Sequence, residues 1–460
     1  MSFSPERAEI RFGCGLSPIR PAPESATAML TGLDGLDEMA ERFPVMPYSV
    51  YIERRQRDRK LRKKLKTASG ARAQEIKAQL KAHSGESVRT TRQGVVQTVL
   101  RWSQSGQGFR ERLARFWADH FTVVGKSALT RSVVSTYLDE AIRPHLAGSF
   151  GDMLVAVTTH PMMLKYLDQE NSVGPGSRFA NRADRERGLN ENLAREVMEL
   201  HTLGVGGAYS QDDVRQLAEL FTGMGVDASG AFTFRPNRAE PGAETVLGHR
   251  YGGDPAGFAA IEQALRALAV HPSTASHIAH KLAVHFVSDS PDPALVDHVT
   301  ARYRETDGDL RAVYAALLEH PAAWADGPGN VKPGFDFIAS ACRALALGPD
   351  RLHALQPKQI NRFFLLPLTK MGQAWQKPIG PNGWPEEDRA WITPPGLSAR
   401  IGWAMSVPRR LRPELPDPRD FVTTALGLGV PEAVQFAASA AETEADAVGL
   451  VLASPAFQRR

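Results

Sequence analysis

Gly188-Leu-Asn-Glu-Asn-Leu-Ala-Arg-Glu-Val-Met-Glu-Leu-His-Thr-Leu-Gly204 carries the pattern around which the rest of the chain is organised. Its apolar residues recur at helical spacing and nothing breaks the run before Gly204, a C-cap residue, so the pattern predicts a helix over 189–203. At roughly 100° per residue, Asn192, Arg195, Glu196 and Glu199 share about a third of the circumference. Leu189, Leu193, Leu200 and Leu203 form the adjoining stripe and are expected to face the core. His201 lies about 140° from Glu196 and falls with Ala194, Val197 and Met198 on another face.

Two carboxylates at i, i+3 on one face suit metal chelation or the sharing of a proton. Di-metal helical bundles use Glu-x-x-His, whereas here Glu199 occupies the position of the histidine. The candidate second helix is Phe109-Arg-Glu-Arg-Leu-Ala-Arg-Phe-Trp-Ala-Asp-His-Phe121, where Leu113, Phe116, Trp117 and His120 share one face. Neutral imidazole is the commonest metal ligand. The expected site therefore lies between these two helices: Glu196, Glu199 and Arg195 are the catalytic candidates, His120, Glu196 and Glu199 the metal ligands, and a divalent metal the candidate cofactor. The competing reading makes the stripe a salt-bridged surface in which Arg195 offsets the acids, and His120 a core residue with one ring nitrogen satisfied.

Outward from these helices the same periodicity recurs over 132–142, 212–221, 274–287, 293–303, 310–319 and 335–347, with Ser210 and Asp309 as N-caps. The fold class is all-α, a helical array. One stretch departs from it: Ala231-Phe-Thr-Phe-Arg-Pro236 and Glu244-Thr-Val-Leu-Gly248 flank a Pro/Gly-rich turn and predict a small β-hairpin insertion near 230–253. The expected organisation is an N-terminal segment (1–92), a main helical domain (93–350) carrying the 189–203 helix, and a C-terminal helical region (351–460). In the last, Trp375, Trp384 and Trp391 among five prolines over 372–395 suggest a wrapping loop that either pins itself to the core or lines a ligand cleft.

The net charge of +4 over 460 residues conceals an asymmetry. Arg54 to Lys81 holds twelve Lys or Arg against Asp58 and Glu75, hence +10, and the remainder sums to −6. Leu61/Leu65 and Ile76/Leu80 at i, i+4 around Gly70 make this a protruding basic helical hairpin over about 53–82. It lacks interleaved aromatics for base stacking, so a nucleic-acid contact is the weakest of the functional readings. Cys14 and Cys342 do not constitute a disulfide framework. The first residues carry no apolar leader and no run reaches the length of a membrane span, from which a cytoplasmic location is expected.

Several familiar motifs fail. Val123-Val-Gly-Lys-Ser127 lacks the first glycine of a phosphate-binding loop, since His120 stands there, and Gly13-Cys-Gly15 is half a dinucleotide fingerprint. His-Glu-x-x-His, Gly-x-Ser-x-Gly and Cys-x-x-Cys do not occur. His160, His280 and His285, the last two on one amphipathic helix with Lys281, read as structural.

Ordered short motifs nevertheless recur along the whole chain: Arg11-Phe-Gly-Cys-Gly-Leu-Ser-Pro18, Phe116-Trp-Ala-Asp-His-Phe-Thr-Val123, Ile142-Arg-Pro-His145, Met163-Leu-Lys-Tyr-Leu-Asp168, the 189–204 stretch, Thr245-Val-Leu-Gly248, Lys332-Pro-Gly-Phe-Asp-Phe337, Met371-Gly-Gln373 with Gly383-Trp-Pro385, and Leu452-Ala-Ser-Pro-Ala-Phe-Gln-Arg-Arg460. In these the chain resembles the bacterial domain-of-unknown-function 1800 family. The resemblance implies a single-chain helical protein, often exported or periplasmic, frequently encoded beside a partner resembling the sulfatase/phosphatase superfamily. It supplies no catalytic residue, and Ala239 stands where a His-Asp-Pro-Gly type turn would place its histidine. Two functions follow as expectations: an enzyme with a metal or acid–base site between the two helices, or a non-catalytic scaffold for an exported or surface-associated enzyme.

Overall fold

A computed structural model describes residues 3–182, 188–327 and 329–460. The protein is mainly helical, with two antiparallel two-stranded sheets as its only sheets among the described residues. The expected helices form close to their predicted limits: Gly108–His120, Gln211–Leu220, Pro272–Phe286, Pro293–Glu305, Leu310–Glu319 and Gly334–Ala344. Ser210 accepts from the Asp213 amide and Asp213 from that of Ser210, and Asp309 accepts from Ala312 N–H, so both predicted caps satisfy amides the first helical turn leaves without partners. The run over 132–142 is less regular. It winds as α over Val134–Tyr137 and as π over Leu138–Ile142.

The β insertion contains two hairpins, and the two segments that read as partners pair elsewhere. β1 (Met224–Val226) pairs with β2 (Phe232–Phe234), while β3 (Gly242–Val246) pairs with β4 (His249–Gly253). Leu247 and Gly248, both at positive φ, make the tight two-residue turn that returns β3 onto β4. A connection so short satisfies the strand locally before a distant partner can.

The basic hairpin is built from helices Tyr48–Thr67 and Gly70–Gln104, turning at Ala68 and Ser69. Leu61 and Ile76 are buried as the spacing required. The second helix is 35 residues long, about 52 Å at 1.5 Å per residue, and its last turns, Val95 to Gln104, are buried in the body of the molecule. Buried side chains form two clusters. One runs from Ala8 to Trp324 around Trp117, Phe150 and Phe286; the other joins Val95, Val99 and Trp102 to Phe335, Phe364, Trp403 and Phe457. Cys14 and Cys342 are free, buried thiols of the second cluster. No helix among the described residues is long and apolar enough to cross a membrane.

Candidate functional site

The 189–203 segment is α-helical over Asn192–Glu196 and then widens into a π-helix over Val197–Thr202, with Leu203 N–H donating to Met198 O at 2.9 Å. The wider winding rotates the second half away from the 100° progression. Leu193, Ala194, Val197, Met198, His201 and Thr202 are fully buried, whereas Leu189 and Leu200 are only partly so. The deep face is thus the one predicted to hold His201, and the leucine stripe flanks it.

On the outer side, Arg195 donates to Glu191 at 3.0 Å, to Glu199 at 3.3 Å and to Gln211 at 3.1 Å. Asn192 is exposed. Burial and the neighbouring Glu199 raise the pKa of Glu196, and Arg195 opposes the shift. His120 does not join these carboxylates. Its Nε2 donates to the carbonyl of His201 at 3.1 Å, and His277 Nε2 donates to the carbonyl of Leu200 at the same distance. A carbonyl only accepts, so both imidazoles carry their proton on Nε2. They cap two carbonyls at the end of the helix, where the chain itself supplies no donors. Burial holds His120 well below its ordinary pKa, and His201 and His277 at about 3 and about 4. Among the described residues no group of three or more His, Cys, Asp or Glu side chains could hold a metal ion, so His120, Glu196 and Glu199 are not gathered into a ligand set.

The residue beside His120 leads elsewhere. Asp119 accepts the Trp384 amide on both carboxylate oxygens, at 3.0 and 3.1 Å. This contact joins Phe116–Val123 to Gly383-Trp-Pro385, two motifs far apart in the chain. Gly383, at φ +76°, permits it: a Cβ there would lie 2.6 Å from Asp119 O and 2.7 Å from its carboxylate. Asp119, Lys281 and Glu386 line one cavity of about 610 Å³, with His280 and the exposed Ile379 and Asn382 at its rim. In the Trp/Pro-rich loop Trp375 and Trp391 are buried anchors, as one of the two expectations had it, and Trp384 and its neighbours line the cavity.

Behind the cleft runs a buried chain of charges. His285 Nδ1 donates to both Glu386 oxygens, at 2.8 and 3.0 Å, and its Nε2 accepts from Arg112 at 3.2 Å. Arg112 lies 3.4 Å from Asp336, which also pairs tightly with Arg460. Arg460 reaches back to the His285 carbonyl at 3.3 Å. In this arrangement His285 serves both partners while neutral, and burial lowers its pKa to about 4. Burial alone would raise Glu386, but His285, Arg460 and Lys281 overcome it and hold the carboxyl down at about 2. Asp119 is pushed the opposite way, to about 7, by burial and then by the ionised Glu386, against the Trp384 amide and Lys281. One cleft thus holds a carboxylate that stays ionised and a carboxyl that exchanges its proton near neutrality.

Helical periodicity could not find this set, because its members come from five separate segments: Gly108–His120, Pro272–Phe286, Gly334–Ala344, the Trp/Pro-rich loop and Arg460. The available signal was the motif list: Asp119 is inside one motif, Glu386 follows another directly, and Asp336 and Arg460 belong to two more.

The fold and the cleft define a mainly helical protein whose short motifs converge on an internal charge network. The chain belongs to the family described as protein of unknown function (DUF1800), which matches it over residues 14–459. No curated protein and no solved structure matches it.

Proposed function

We propose that the protein is an enzyme that carries out proton-transfer chemistry on a small polar substrate in the cleft lined by Asp119, Lys281 and Glu386. The carrying observation is that two carboxyl groups line one cavity while their surroundings drive their acidities apart, to about 7 and about 2. A group titrating near neutrality serves as both general acid and general base. Asp119 fills that role, Lys281 orients an anionic part of the substrate, and Glu386 keeps the Asp119 proton in place. His285 and the arginines behind it are positioning residues that hold Glu386 ionised. A metal is not needed for any of these roles. The pocket size falls within the range of about 300–1,000 Å³ usual for small-molecule sites.

The test is a carboxyl-carbon NMR titration of aspartate-labelled protein, with Asp119→Asn to assign the resonance. The expected midpoint lies near 7. A midpoint near 4 sinks the acid–base reading and leaves the cleft as a static polar joint. A second reading, the non-catalytic scaffold, draws on the 189–203 segment: Glu191 and Glu199 both pair with Arg195 on one helical surface, an arrangement suited to holding a helix or facing a partner.

A further inference from the structure

A second cavity, of about 630 Å³, lies where the root of the basic hairpin meets the short helix Ala128–Arg131 and the C-terminal helices Pro349–His353 and Pro357–Ile360. Its lining contains Arg54, Arg89, Arg92 and Arg131 and, among the described residues, neither Asp nor Glu. Arg54 donates to Thr90 Oγ1 at 2.8 Å and Arg92 to Asn361 Oδ1 at 2.9 Å, both neutral acceptors. None of the four makes an ion pair with a carboxylate of the described residues, while arginines elsewhere do so repeatedly. Arg54, Arg92 and Arg131 are half-buried and Arg89 is exposed. Four guanidinium groups around one hollow, faced by no carboxylate of the described residues, give it a positive potential that attracts an anion.

The remaining lining specifies what kind of anion. Val45, Met46, Leu352, Leu355 and Ile360 provide an apolar wall, and Thr91, Ser132 and Ser135 provide hydroxyls. Guanidinium forks match phosphoryl oxygens in geometry and charge, and an apolar wall suits a carbon skeleton. We propose that this cavity binds a small organic phosphate, its phosphoryl group among the four arginines and its apolar body on the hydrophobic wall. Gln376, whose amide donates to Ser135 Oγ at 2.7 Å, also lines a small cavity that reaches Asp119 and Trp384. The anion site is thus separate from the acid–base cleft but shares the Trp-rich loop with it, and the proposal stands whether or not Asp119 is catalytic.

Calorimetric titration of the full chain with phenyl phosphate tests it. The expected result is saturable one-to-one binding that weakens with added salt and becomes about tenfold weaker, or more, in the Arg89→Gln/Arg131→Gln variant, since neither side chain has a hydrogen-bonded partner to lose among the described residues. Lys281→Gln should leave the affinity unchanged, which separates this site from the other cleft. Inorganic phosphate should bind at least about tenfold more weakly, because it lacks the apolar body. Absence of saturable binding, or equal affinity in the double variant, overturns the proposal. So does co-sedimentation with phosphatidic-acid vesicles in the absence of any binding to phenyl phosphate, which would make the patch a lipid-surface contact instead. Inorganic phosphate binding as tightly as phenyl phosphate would overturn the assignment of an organic ligand.

Discussion

The outer stripe of the 189–203 segment and the network behind the Asp119 cleft both mix acids with arginines, but they are opposite kinds of structure. In the stripe, Glu191, Arg195 and Glu199 are i, i+4 neighbours, each about a third exposed, and they satisfy one another along a single helix. In the network, Arg112, Asp336, Arg460, His285 and Glu386 come from separate segments and, except for Glu386, are nearly withdrawn from water. Exposed pairs gain little because solvent screens them. Buried ones are held by one another, and removing a single member strands the rest. The comparison shows where function should be sought in this molecule: in the charges that the fold had to bring together.

The widest separation between the two regions should come from Asp336→Ala. It leaves Arg112 and Arg460 buried without their carboxylate, and chemical denaturation should show a loss of about 3–5 kcal/mol or no folded protein at all. A loss under about 1 kcal/mol would break the comparison. Gly383→Ala comes next. Forcing a side chain at φ +76° against Asp119 should cost on the order of 1–3 kcal/mol and shift the Trp384 fluorescence as the loop lifts. Unchanged fluorescence and stability would mean that the loop does not depend on its contact with Asp119.

Asp119→Asn is expected to change the pH dependence of stability more than stability itself. An acid raised from 3.8 to about 7 in the folded state binds a proton more tightly when folded. Its stabilising contribution is therefore complete below pH 3.8 and is lost as pH rises through about 7. Relative to Asp119→Asn, the wild-type chain should lose stability between these limits and run parallel above them. The difference between the two proteins is the quantity to measure, because neutral buried histidines such as His285 slope the other way across much of the same range. A constant difference across the range would remove Asp119 as a group of altered acidity. Arg195→Ala should have the smallest effect, about 0.2–1 kcal/mol and weaker in high salt. A cost above about 2 kcal/mol would show that the stripe is coupled to the core after all.

Much of the architecture was legible along the chain. Recurrent 3.6-residue spacing located the helices from 109 onward, Ser210 and Asp309 marked their starts, and Gly/Pro density marked the β insertion. The spacing also separated His201 from the acids. It did not reveal that Val197–Thr202 winds as a π-helix, because a 100° progression assumes the α pitch it is meant to test. Nor did it reveal that β3 turns back on β4 within two residues while Phe232–Phe234 pairs with β1. His120 is expected to approach the acids of the 189–203 helix, but its partner is the backbone carbonyl of His201, which no side-chain pattern records.

The helical class, the family and the basic hairpin can be read along the chain, since they depend on residues a few positions apart. That Asp119, Lys281 and Glu386 share one cavity, that His285 stands between Glu386 and Arg112, and that four arginines surround a hollow lined by no carboxylate of the described residues emerges only when the chain packs. The physical reason is one of range. Periodicity and capping follow from the local geometry of the backbone, whereas desolvation and charge pairing arise when distant segments pack together, and the chemistry of the cleft arises there.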